Sequence, residues 1–294
     1  MSNVETWFVF SFLSALLLAV GNILMRIEFA RGRDFWDTLI EAMFWGLIVL
    51  VPFSVHELSS KHYAITHDQA LLYLIVGLLQ FFLSRIAYFK AVELGGASVA
   101  STASSASEPI LTAFLALLLI HEIISPKLAL GAVIAALSML LLHVESTKSF
   151  VGSTTAVLLG MGAGSIAALT AVMLRYLSLA EEMTFPITGV LIGQGTALVA
   201  MLFLRGFPWR TFSGFSLWRA VVFAGFSLSL AHVMRFAALG IGGATEVTVV
   251  VLSYPAIIVL LGAIIKSASE NITPYKVAAV IGVVIANALV VSAG

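Results

Sequence analysis

Six ionisable side chains stand out inside apolar runs of this sequence: Glu41, Arg85, Glu108, His232, Arg235 and Glu246. Asn22, Gln80, Gln194 and Tyr254 are uncharged polar groups in equally apolar surroundings. Guanidinium, carboxylate and imidazole groups placed together can hold a charged or zwitterionic small molecule. Glu108 and His232 can also carry a proton, because burial moves such groups toward neutral pH. Covalent chemistry has no support. The chain has no cysteine, no P-loop and no G-x-S-x-G, and at His121-Glu122 a serine, Ser125, stands where a second zinc-binding histidine would be needed. No catalytic residue, metal site or cofactor is therefore expected.

The spacing of these groups from turn signals gives their depth. Arg85 lies ten residues before Gly95, and Glu108 lies twelve after Gly96. At a rise of ~1.5 Å per residue both sit roughly 15–18 Å from that Gly-Gly turn, near mid-bilayer. His232 and Tyr254 fall ten and eleven residues on either side of Gly242-Gly243. The spacing predicts that Arg85 and Glu108 pair or share a polar cavity, that His232 and Tyr254 occupy the same two depths in the second half, and that Arg235 and Glu246 lie at depths compatible with a second pair. Glu41 and Gln194 are expected to be structural. Asn22 sits near mid-helix, where an amide bridges helices. Between the turn and Pro109 the chain reads ASVASTASSASE, and on a helix Ser101, Ser104 or Ser105, Glu108 and Thr112 share one stripe. Substrate contacts are thus expected from Asn22, Gln80, Arg85, Ser104, Ser105, Glu108, His232, Arg235 and Tyr254.

Those residues must be carried by membrane helices. Hydrophobic residues make up 61% of the 294-residue chain and charged residues 10%, against about 45–50% and about 25% in soluble domains. A soluble protein of this size cannot hide that much apolar surface. Ten apolar runs of spanning length are predicted at 6–29, 35–56, 69–92, 97–120, 126–144, 152–178, 185–205, 216–240, 244–266 and 273–293. The first lacks a basic leader and reads as a membrane helix rather than a cleaved signal. Net charge is zero, which gives no basic face for nucleic acid.

An internal repeat divides the chain. FKAVELGGASVAS (89–101) aligns with FAALGIGGATEVT (236–248), Pro109 with Pro255, Glu122 to Pro126 with Glu270 to Pro274, and Arg26 with Arg175. The expected units are 1–148 and 149–294, each of five helices. Five is odd, so the second unit is inverted, an architecture in which transporters place a site at the midplane and rock about it. The fold class expected is an all-α membrane protein of ten transmembrane helices in two inverted five-helix repeats. Gly160, Gly164 and Ala168 mark a close helix contact.

Nine Lys or Arg residues lie in loops after odd-numbered helices, against Lys61 and Lys127 after even ones. The positive-inside rule then puts both termini outside. At SASEPILTAFLALLLIHEIISPKLALG (105–131) the sequence resembles the EamA-like branch of the drug/metabolite transporter superfamily. It shows a small-residue helix, Pro109 within it, Glu122 at its end and Gly131 in the next helix. The resemblance implies two inverted bundles around a central cavity lined by helices 1, 3, 4, 6, 8 and 9. It also implies ATP-independent transport of small metabolites, often export, from a bacterial or archaeal cytoplasmic membrane with both termini inside. The function expected is a secondary transporter of a small polar or zwitterionic, amino-acid-like metabolite, monomeric or homodimeric in the bilayer. A lipid-headgroup translocase is the alternative.

Overall fold

Helix starts follow local chemistry. Prolines open three helices, at Pro126, Pro186 and Pro274, where a missing N–H costs nothing. Thr66 and Gln69 cap each other's backbone before the helix at His67. The computed structural model describes residues 3–60, 64–148, 154–180, 185–206, 219–264 and 273–293. Among them no strand occurs. The helices are α1 (Asn3–Ala30), α2 (Phe35–Ser60), α3 (His67–Leu94), α4 (Val99–Ile120), α5 (Pro126–Lys148), α6 (Thr154–Ala180), α7 (Pro186–Arg205), α8 (Ala220–Ile241), α9 (Ala244–Leu261) and α10 (Pro274–Val291). Nine of the described helices are long and apolar enough to cross a membrane, and α5 is apolar over Pro126–Leu142. Each predicted span thus has its helix, with described ends within five residues of expectation. The repeat's Glu270 and the loop residue Lys61 lie outside the described residues.

The reversal at Gly95-Gly96 is tighter than an ordinary loop. Helical backbone runs without interruption over Arg85–Ile120. Yet Ser84 donates to the Ala163 carbonyl at 3.0 Å, and the Ser104 carbonyl presses on Gly164. Two residues twenty apart in sequence meet neighbours in α6, so α3 and α4 both pack against it. The second matching turn differs. Gly242 is extended and Gly243 caps α9. α9 is broken at Leu252 and Ser253, between Ala244–Val251 and Tyr254–Ile264, just before Pro255. Pro109 leaves α4 unbroken.

Packing follows the small residues. α4 lies on α6, where a Cβ on Gly160 would be 2.9 Å from that of Ala103. α1 packs along α8, tied by Ser14 to the Ala231 carbonyl and Ser227 to the Leu17 carbonyl, at 2.8 and 2.7 Å. α2 packs on α7 and α8, and α5 pairs with α10. Outward faces carry large apolar side chains such as Val199, Phe203 and Leu158, a surface suited to lipid tails and not to water. The interior meets around α1, α3, α4, α8 and α9, and there the polar residues gather.

Candidate functional site

Midway along the bundle a cavity of about 90 Å³ is lined by Asn22 of α1, Gln80, Arg85 and Tyr88 of α3, Ser104 and Glu108 of α4, His232 and Arg235 of α8, and Tyr254 of α9. Eight of the nine expected contact residues are therefore in one place. Ser105 is not. It is wholly buried and its hydroxyl lies against the side chain of Tyr254, which lines the cavity. Tyr88 was not anticipated, though it stands three residues beyond Arg85 and so on the same helix face. The segment before Arg85, Gly77–Ser84, is π-helical. Wide turns of this kind occur as bulges at functional sites, because they rotate side chains out of α-helical phase. Gly77 allows it by touching Gly193 of α7 backbone to backbone.

The ion pairing departs from expectation. Glu108 pairs with Arg235 and not with Arg85. Arg85 instead donates from Nη2 to Nε2 of His232 at 3.1 Å. Arginine can only donate, so the accepting Nε2 carries no proton and the imidazole is neutral, with hydrogen on Nδ1. Arg85 also lies 5.7 Å from the centre of the Phe81 ring, which meets His232 edge to face at 4.7 Å. Among the described residues no carboxylate pairs with Arg85. Both arginines and Glu108 are buried. The cavity thus holds one neutralised pair, one neutral histidine and one uncompensated cation. Glu246 turns away from Arg235 and accepts from the Gly243 N–H at 3.0 Å, capping α9.

The remaining polar groups set the donor pattern. The Thr170 hydroxyl of α6 lies 2.7 Å from Gln80 Oε1 and 2.9 Å from the Ala167 carbonyl, which ties Gln80 to α6. Asn22 donates to the Leu18 carbonyl at 2.9 Å and keeps its oxygen free to accept. Gln194 lies elsewhere, accepting from Ser229 at 2.8 Å between α7 and α8, as structural glue.

Two sets of polar contacts close the ends of the bundle. At the end opposite the termini, Arg33 bridges Glu28 of α1 (3.1 Å) and Glu41 of α2 (2.5 Å), with Arg219 at 4.0 Å from Glu41. Burial alone would lower the Arg33 pKa. The hydrogen bonds to Glu41 and Glu28 outweigh it and hold the value above the ordinary one. Glu41 is structural, as expected. At the end carrying the termini, two carboxylates cap helices of the second half. Glu57 accepts from Ile187 N–H (3.3 Å) and from the Thr188 N–H (2.8 Å) and hydroxyl (2.7 Å) at the start of α7. Glu122 accepts from Ala244 and Thr245 N–H at the start of α9, at 2.9 and 3.3 Å. Helix N-termini favour such anions. The role of Glu57 had no signal in its own neighbourhood, since its partners are over a hundred residues away.

No curated protein matches the sequence. A solved structure, titled only "Crystal structure of protein", superposes with a TM-score of 0.73 at 16% identity, covering 96% of this chain and 94% of that one. At that identity the likeness concerns the fold alone. The model of the EamA-like transporter family matches residues 5–144, the first five helices. Over those residues, a little under half of the chain, the sequence is similar to the EamA-like transporter family, a family of membrane transporters of the drug/metabolite type.

Proposed function

We propose that this protein is a secondary transporter that carries a small polar metabolite of amino-acid size by alternating access at the cavity between α1, α3, α4, α8 and α9. The observation that carries the reading is the convergence of Arg85, Glu108, His232 and Arg235, from three helices, on one buried space. An ionisable group at membrane depth costs about 2.5–3.5 kcal/mol on insertion scales. Four in one cavity are hard to justify as packing when apolar residues would fill the space. The volume, about 90 Å³, suits a solute of a few heavy atoms and not a lipid headgroup. The two-repeat reading gains support from the carboxylate caps. They join α2 to α7 and α4 to α9, the elements that correspond under a five-helix repeat. Export is the direction the family resemblance implies.

Glu108 and His232 are the two candidates for carrying a proton. Glu108 is held by Arg235, whereas neutral His232 has a second nitrogen and faces a mobile solute. Protonating it would set two cations against each other unless an anion or a released Arg85 intervened.

The test is counterflow in proteoliposomes. Vesicles holding the purified protein are preloaded in turn with unlabelled alanine, lactate, ethanolamine and glycerol, and uptake of the same labelled solute is followed. Saturable counterflow of at least one solute, reduced at least about tenfold in Arg85→Gln, is expected. An inward proton gradient should change the wild-type rate and leave His232→Gln unmoved. No counterflow with any solute, from protein that remains folded, overturns the reading.

A further inference from the structure

The charge balance of the cavity selects among those solutes. Arg235 and Glu108 neutralise each other, and His232 accepts a hydrogen bond that only its neutral form can accept. One positive charge, on the buried guanidinium of Arg85, is left without a counter-ion among the described residues. Arg85 lines the cavity together with Gln80, Tyr88 and Tyr254. A planar guanidinium fork matches a carboxylate with two parallel hydrogen bonds. An ammonium group, by contrast, would find no free carboxylate, because Glu108 is already engaged.

We propose that Arg85, set against His232, is the subsite for the carboxylate of a small organic monoanion, and that the cavity prefers such a monoanion to the zwitterion or cation of the same skeleton. The proposal rests on the transport reading above for the role of the cavity, but its substance is the charge class of the ligand. A single uncompensated cation matches a single negative charge. A phosphate dianion would leave one charge unmet in a buried space, at a cost that grows as the dielectric falls. The small cavity volume confines the skeleton to a few heavy atoms. Glu108 acts here by neutralising Arg235 and is a positioning residue, not a ligand for a substrate amine.

Three probes share a three-carbon skeleton and are an anion, a zwitterion and a cation in turn: lactate, alanine and alaninol. Inorganic phosphate is the fourth. Binding of each to the purified full-length protein is measured by equilibrium dialysis, with the thermal midpoint as a second reading. Lactate is expected to bind at least about tenfold more tightly than alanine, and alaninol and phosphate more weakly still. Arg85→Gln should weaken lactate at least about tenfold, with Arg85→Lys between, since a point charge lacks the fork. Glu108→Gln carries a sign that a merely structural role would not give. It releases Arg235, adds a positive charge and should tighten lactate about tenfold or more. If Arg85→Gln does not fold, the probe series and Glu108→Gln decide the matter. Alanine binding as tight as lactate, tighter phosphate, no lactate binding by the wild type, or weaker lactate in folded Glu108→Gln would each overturn the subsite. Counterflow of some other solute would then still uphold transport, so the two readings fail separately.

Discussion

Glu108 and Arg235 are two charges that neither helix could carry alone. Taking away one partner leaves the other buried without a counter-charge, which costs about 3–5 kcal/mol, while removing both leaves only a void. Glu108→Ala and Arg235→Ala should therefore each lower the thermal midpoint more than the double substitution does. A double variant that loses the sum of the two single losses would show that the groups are not coupled. The sequence made the depth of these residues legible but not their partners. Counting from Gly95-Gly96 and Gly242-Gly243 fixes how far a side chain lies along a helix axis, and that count brought Arg85, Glu108, His232 and Tyr254 to one level correctly. Pairing depends on rotation about the axis as well. The π-helical turn at Gly77–Ser84 changes that rotation just before Arg85. No composition signal marks such a turn, so the spacing brings Arg85 and Glu108 to one cavity without showing that Arg85 bonds His232 and Glu108 bonds Arg235.

At the scale of elements, the register of α4 on α6 places Ser104 and Glu108 in the cavity. That register rests on glycine. A Cβ at Gly164 would stand 2.3 Å from the Ser104 carbonyl oxygen, a backbone atom that cannot move without the helix. Gly162, two residues earlier on another face, has nothing within 4 Å. Gly164→Ala is expected to cost about 1–3 kcal/mol through overpacking and to depress counterflow, because the wall bearing Ser104 is pushed aside. Gly162→Ala should change neither. Equal effects at the two positions would mean that the α4–α6 contact does not set the site. The glycines at spacing four were readable in advance as a contact face, and so were the ten apolar runs. The helix that Gly164 meets was not, since spacing names a face but never its partner. The caps made by Glu57 and Glu122 were hidden for the same reason, each joining a helix end to a helix start far along the chain. In Glu122→Ala the start of α9 loses two acceptors, which should lower the thermal midpoint by the equivalent of about 1–2 kcal/mol.

For the whole molecule, alternating access requires that the closures at the two ends trade places. The end opposite the termini is held by Arg33 between Glu28 and Glu41, and the other end by the Glu57 and Glu122 caps. A hydrogen bond to a charged group contributes about 1.5–3 kcal/mol, and each 1.4 kcal/mol is about tenfold in population. Deleting one closure should therefore shift the resting equilibrium by about ten- to a hundredfold toward opening at that end. The chain has no cysteine, so a single Ser104→Cys substitution reports the cavity on a silent background. A membrane-impermeant thiol reagent is applied to right-side-out and inverted vesicles. With Arg33→Ala, labelling should rise from the face that bears the Arg31-Gly32-Arg33 loop and fall from the other. With Glu57→Ala and Glu122→Ala together, the bias should reverse. Applied to the excess of Lys and Arg near that loop, the positive-inside rule predicts a cytoplasmic face there, so the Arg33→Ala gain is expected in inverted vesicles. A gain in right-side-out vesicles would reverse the orientation and leave the gating argument intact. Labelling that rises from both faces at once would describe an opened pore and would end the case for a rocking carrier.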